Sequence, residues 1–212
     1  MNTMNQTLVL LLSGIATLAL GGCGSVTPEA ADGPAGVATE ADELRAADVC
    51  PAGVPAAIAP AADQTIKATF NAVGVQVYMC NGLAAGPAWT FVAPQANLLK
   101  DNGKFTATHF IGPTWQGNDG SSVTGAKAAG ATVDATAIPW LLLTATGHST
   151  EDGIFDDVTS IQRLSTVGGL APATGCDADH LGAIAQVPYS AEYVFYKTKS
   201  KGKVQQCGGS GG

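Results

Sequence analysis

The run Gln64-Thr65-Ile66-Lys67-Ala68-Thr69-Phe70-Asn71-Ala72-Val73-Gly74-Val75-Gln76-Val77-Tyr78-Met79-Cys80 decides the fold class. Its side chains alternate with a period of two, the signature of a strand with unlike faces. Over 64–70, Ile66, Ala68 and Phe70 face one way and Thr65, Lys67 and Thr69 the other. Over 74–80, Val75, Val77 and Met79 oppose Gln76, Tyr78 and Cys80. Asn71-Ala72-Val73-Gly74 between them reads as a turn, with Gly74 supplying a positive φ.

The same pattern continues outward. Residues 88–92 read as a short strand, and 104–111 as another after the turn Asp101-Asn102-Gly103. The apolar run 138–145 reads as a buried central strand that Pro139 forces to begin there. Residues 158–167 are ambiguous, because Val158, Ile161 and Leu164 also fit helical spacing. Residues 191–198 alternate again. Short strands between Gly, Asn, Asp and Pro turns predict a single all-β domain, an antiparallel β-sandwich or barrel with short helical turns.

The strands stop well short of the N-terminus. Residues 8–20 are almost wholly apolar, and no charged side chain precedes Glu29. At about 1.5 Å per residue this run falls short of a hydrocarbon core of roughly 30 Å, so it reads as a signal peptide (1–22), not a span. Leu20-Gly21-Gly22-Cys23 resembles the lipobox of bacterial lipoproteins, in which the cysteine is lipidated and becomes the N-terminus. The first six residues depart from that pattern in lacking Lys or Arg. The expectation is an envelope lipoprotein held to the membrane through Cys23, with Gly24 pointing to the outer membrane. Six acids (Glu29, Asp32, Glu40, Asp42, Glu43, Asp48) against Arg45 give residues 24–48, nearly all of them in the segment 23–47, most of the net charge of −7. That segment has too little apolar surface to order itself and reads as a tether. The β domain is expected over 48–207, with a glycine-rich tail at 208–212. A net charge of −7 argues against nucleic acid as a partner.

Apart from Cys23 the chain has four cysteines, and in an exported protein an even number predicts disulfides. Of the possible pairings, Cys50–Cys207 with Cys80–Cys176 is favoured, since the first would join the two ends of the domain. A zinc site is the alternative, but close CxxC spacing is lacking.

Several motifs together resemble the DUF3455 family of exported bacterial and fungal proteins. They are Gly74-Val75-Gln76-Val77-Tyr78-Met79-Cys80; His109-Phe110-Ile111-Gly112-Pro113-Thr114-Trp115 with Asp119-Gly120-Ser121; and Ile138-Pro139-Trp140-Leu141-Leu142-Leu143. Ile161-Gln162-Arg163 with Gly168-Gly169, and Val187-Pro188-Tyr189 with Tyr193, Phe195 and Tyr196, complete the pattern. The resemblance spans roughly 54–197. It implies one exported β-rich domain and no activity, so no catalytic residue is carried over.

The residues themselves offer four candidate chemistries. His109, Trp115 and Asp119, with Ser121 and Ser122, would make a pocket rim or a hydrolase-like Ser-His-Asp set, although no nucleophile-elbow motif supports the latter. Glu151, Asp152, Asp156 and Asp157 offer oxygen ligands to a cation, in a spacing unlike an EF-hand. Arg163 would pair with Glu192 or an acidic loop, or take a ligand carboxylate or phosphate. Trp89, Trp115, Trp140, Tyr189, Tyr193 and Tyr196 would pack the core or line an aromatic cavity. The ligand-site expectation is therefore His109, Trp115, Asp119, Arg163, Tyr189 and Tyr193. No Rossmann or P-loop motif follows a strand, so no cofactor is expected. The favoured reading is a non-catalytic binding module for a small apolar or amphipathic molecule or a glycan. A structural or protein-interaction domain is the first alternative, and a hydrolase using His109 and Asp119 the second.

Overall fold

A computed structural model describes residues 51–199. Cys23, Cys50 and Cys207, the signal peptide, the tether and the glycine-rich tail lie outside the described residues. Eight strands follow in order: β1 (Gln64–Leu83), β2 (Gly86–Leu99), β3 (Phe105–Phe110), β4 (Thr114–Gly117), β5 (Ser122–Ala131), β6 (Trp140–His148), β7 (Ser160–Gly168) and β8 (Ile184–Thr198). Each pairs antiparallel with the next, and β8 returns to pair with β1 from Gln64↔Thr198 to Met79↔Ile184. All pairings belong to one sheet, which closes in a ring, so neither its first nor its last strand is left with an open edge. Two 3-10 turns, Ala56–Ile58 and Ala178–His180, are the short helical elements. The all-β expectation holds.

The expected turn at 71–74 is absent, and β1 runs through it for 20 residues. Gly74 does not adopt a positive φ. It is there for space: a Cβ would lie 2.0 Å from the Gln95 carbonyl oxygen and 2.5 Å from the Ala96 Cα on β2. A bulge between Ile66 and Ala68 breaks the expected alternation, so Ile66 packs on the opposite face of the sheet from Ala68 and Phe70; beyond it Phe70, Ala72, Gln76, Tyr78 and Cys80 are buried on one parity and Val77 on the other. The polar Gln76 points inward.

Two apolar clusters cover opposite faces of the sheet. On β8, Tyr193 and Phe195 join the inner cluster, which draws on all eight strands, while Val194 and Tyr196 join the outer one. The outer cluster is covered by Ile58 of the Ala56–Ile58 turn, fully buried. That burial stabilises the coverage by about 2 kcal/mol. Gln162 on β7 locks it, donating from Nε2 to the Ile58 carbonyl at 2.6 Å and accepting from Tyr196 Oη at 2.6 Å. This explains the helix-like spacing at 158–167. Ile161 faces the inner cluster and Leu164 the outer one. Ser165, at φ 49°, then breaks the ladder between Leu164 and Val167. A strand covered on both faces loses its simple period of two.

Among the described residues one disulfide forms, Cys80–Cys176, as expected. It ties β1 to the loop before β8.

Candidate functional site

One face of each strand builds the site. On β3, Ala107 and His109 point inward, and on β4 Trp115 does so opposite His109. The imidazole stacks on the indole at 4.3 Å with the planes 5° apart, and Tyr193 meets both rings edge-on. Room for the indole comes from Gly125 on β5, where a Cβ would lie 3.2 Å from Trp115 Cζ3. Two residues further along the same strand, on the same parity, stands Lys127. Leu141 on β6, Arg163 on β7 and Tyr193 on β8 are successive cross-strand partners. On β2, Val92 is an extra residue between the pairs Tyr78↔Phe91 and Val77↔Ala93, and this bulge brings Phe91 and Val92 to the same rim.

These side chains enclose a cavity of about 300 Å³, to which every strand contributes. Its walls are mostly apolar, with Phe91, Pro94, Leu141 and Leu143 prominent. Its polar lining is Gln76, His109, Trp115, Lys127, Arg163 and Tyr193, with no Asp or Glu among the described residues. Ligand pockets start at about this size.

The electrostatics are lopsided. His109 is 4% exposed, and burial holds its imidazole down at about 3, so it is neutral near pH 7. Its Nδ1–H donates to the Thr114 carbonyl at 2.9 Å. Arg163 donates from Nε and Nη2 to the Pro139 carbonyl at 3.2 and 2.8 Å. Among the described residues no carboxylate pairs with it, and the expected partner Glu192 is not one. Glu192 belongs to the opposite parity of β8 from Tyr193 and pairs across the ladder with Leu164. Burial raises the Tyr78 and Tyr193 hydroxyls, and the Arg163 charge acts against that rise. Lys127 stands exposed with no ion pair among the described residues. Two buried donors in this lining, Gln76 Nε2 and Trp115 Nε1, have no hydrogen-bond partner among the described residues. In native structures such buried donors are rare.

Of the residues expected at a ligand site, His109, Trp115, Arg163 and Tyr193 converge here. Tyr189 is buried beside them, its hydroxyl 3.5 Å from that of Tyr193. Asp119 and Ser121 do not join them. The Asp119 carboxylate accepts from the Ser121 hydroxyl at 2.7 Å, the Ser121 N–H at 3.1 Å and the Ile154 N–H at 2.8 Å. Ser121 Oγ accepts from the Phe155 N–H at 3.1 Å. Burial pushes the Asp119 carboxyl up, but these hydrogen bonds outweigh it and hold the group below its ordinary value. This network fastens the β4–β5 turn to the loop at 153–155. It makes no hydrogen bond to His109, so the drawn Ser-His-Asp set is not assembled.

The acidic loop is likewise accounted for. Asp156 and Asp157 both pair with Lys67, and Lys197 stands 3.5 Å from Asp157. The Lys67 ammonium and the Gly153 N–H hold the Asp156 carboxyl well below the usual range. Glu151 and Asp152 are exposed. Among the described residues no three His, Cys, Asp or Glu side chains are placed to hold a metal. His148 is bonded to the Val158 carbonyl and His180 to Asp177, so the three histidines do not meet.

The sequence reading missed Gln76 and Lys127. Gln76 shares parity with Tyr78 and Cys80, a signal visible in the alternation. Lys127 is an isolated cation in a Gly/Ala-rich stretch that was not recognised as a strand.

No curated protein and no solved structure matches the chain. The family model described as "protein of unknown function (DUF3455)" matches residues 60–197, the span that supplies all eight strands but for the last residue of β8, and the chain therefore belongs to the DUF3455 family.

Proposed function

We propose that this domain is a non-catalytic binding module that takes a small molecule with an apolar body into the cavity of the ring. The observation that carries the reading is the pair of buried, unpartnered donors, Trp115 Nε1 and Gln76 Nε2, in the wall of a cavity of about 300 Å³. An unpaired buried donor costs about 1–3 kcal/mol, which a bound acceptor recovers. At about 30 Å³ per water, the space suits a ligand on the order of ten non-hydrogen atoms. An apolar or amphipathic body fits better than a glycan, because one face of the Trp115 indole is already occupied by His109. The hydrolase alternative is weaker. A histidine ionising at about 3, with its Nδ1–H committed to a backbone carbonyl, is poorly matched to base catalysis near pH 7.

Lipid attachment at Cys23 would display this module at the cell envelope, and the oxidising compartment that Cys80–Cys176 requires agrees with export. Metabolic labelling with palmitate tests the anchor, and loss of label in Cys23→Ser is expected.

Ligand-observed NMR with octan-1-ol on the full chain tests the cavity. Saturable binding is expected, and Leu141→Trp, which fills the space from a partly exposed position, abolishes it in a protein of unchanged circular dichroism. Binding that survives Leu141→Trp, or no binding to the native chain, contradicts the reading.

A further inference from the structure

We propose that the ligand is an amphipathic carboxylate, seated with its anionic head toward Arg163 and Lys127 and its tail against Leu141, Leu143 and Phe91. The inference rests on the cavity reading above and names the chemical class that the cavity selects.

The lining is rich in donors and holds no anion among the described residues, with Arg163 donating from Nε and Nη2 to the Pro139 carbonyl. Arg163, Lys127, Gln76 Nε2 and Trp115 Nε1 donate, no carboxylate faces them, and both cations lack an acidic partner among the described residues. A carboxylate only accepts and offers about four lone-pair sites, so it complements such a wall. An alcohol complements it less well, and an ammonium not at all. The other two lysines on the strands, Lys67 on β1 and Lys197 on β8, face Asp156 and Asp157. Arg163 is the sole arginine of residues 51–199, and its Nη1, which is not spent on Pro139, can give a charge-assisted hydrogen bond to a carboxylate. Its charge also acts on His109, Tyr78, Tyr189 and Tyr193. The neutral His109 adds no third charge that would favour a polyanion.

Calorimetry on the full chain at pH 7.5 and low salt, with octanoate, octan-1-ol and octylamine, tests the proposal. Octanoate is expected to bind at least about tenfold tighter than octan-1-ol, from one charge-assisted contact, with octylamine weakest. Arg163→Gln should erase the octanoate preference while leaving octan-1-ol binding, which also reports that the variant is folded. If Arg163→Gln does not fold, Lys127→Gln at the exposed rim decides. It should reduce octanoate affinity a few-fold and flatten its salt dependence. Equal binding of octanoate and octan-1-ol, or tighter binding of octylamine, overturns the anion proposal and leaves the cavity reading standing. Failure of all three ligands overturns both.

Discussion

Replacing Gly74 by alanine separates two accounts of β1. If residues 71–74 formed a turn, the added methyl would sit in open space and cost at most the strain of a positive φ. In the continuous strand it meets the Gln95 carbonyl oxygen at 2.0 Å, the Ala96 Cα at 2.5 Å and the Ala96 Cβ at 2.7 Å. Two of these atoms are backbone in the β1–β2 ladder, and neither belongs to a flexible side chain that can swing aside. Overpacking costs about 1–3 kcal/mol, and contact with ladder backbone puts this case near the top, at about 3 kcal/mol. The reduced freedom of the unfolded chain offsets less than about 1 kcal/mol of that. The expected fall in Tm is about 5–10 °C for a domain of this size. Gly82, also on β1, is the internal control: its Cβ would find only Leu181 methyls at 3.7 and 3.8 Å. Gly82→Ala should be neutral or slightly stabilising. Urea unfolding of the full chain, disulfide intact, followed by tryptophan fluorescence, measures both. If Gly74→Ala is no more destabilising than Gly82→Ala, the close approach of β1 and β2 at this point is wrong.

Three further outcomes are expected. Because burial lowers His109 from 6.5 in the unfolded chain to about 3, the unfolded state binds the extra proton between those values. Its share of stability is therefore complete above about pH 6.5 and is lost as pH falls toward 3, with a limiting slope of about 1.4 kcal/mol per unit. His109→Phe should remove that slope, and an NMR titration placing His109 near 6.5 would refute it. Asp119→Ala strips acceptors from Ser121 and the Ile154 N–H. It should cost about 1–3 kcal/mol in urea unfolding and leave octan-1-ol affinity unchanged, whereas lost binding at full stability would restore Asp119 to the site. Cys80 and Cys176 lie 96 residues apart. Replacing both by alanine should cost up to about 4–5 kcal/mol on chain-entropy grounds, and an unchanged urea midpoint would contradict that.

Strand character was legible where one face was buried and the other wet, as on β1, where buried Phe70 and Ala72 stand between exposed Thr69, Asn71 and Val73. It was obscured where both faces were covered, as at Ile161 and Leu164, and where small residues carry little strand preference, as in Gly125-Ala126-Lys127-Ala128-Ala129 on β5. Gly74 misled because a glycine needed for interstrand approach looks the same in sequence as a glycine needed for a turn. Within the site, His109, Trp115, Arg163 and Tyr193 were recognisable as chemistry-bearing residues. Which of them meet depends on ring closure and on the bulges at Val92 and Ala128, and no local pattern encodes these. Asp119 and Ser121 lie close to His109 in sequence, but their hydrogen bonds run to the loop at 153–155 instead.

The central claim is that the cavity behind Trp115 is a ligand site, and its indole N–H reports on this directly. Trp89 Nε1 donates to the Thr174 carbonyl at 2.9 Å, and Trp140 packs on the outer face, so both serve as controls. In a ¹⁵N-edited NMR titration of the full chain with octanoate, the Trp115 indole resonance should move saturably while those of Trp89 and Trp140 stay in place. A Trp115 resonance that does not move, at octanoate concentrations that shift other signals, would contradict the account.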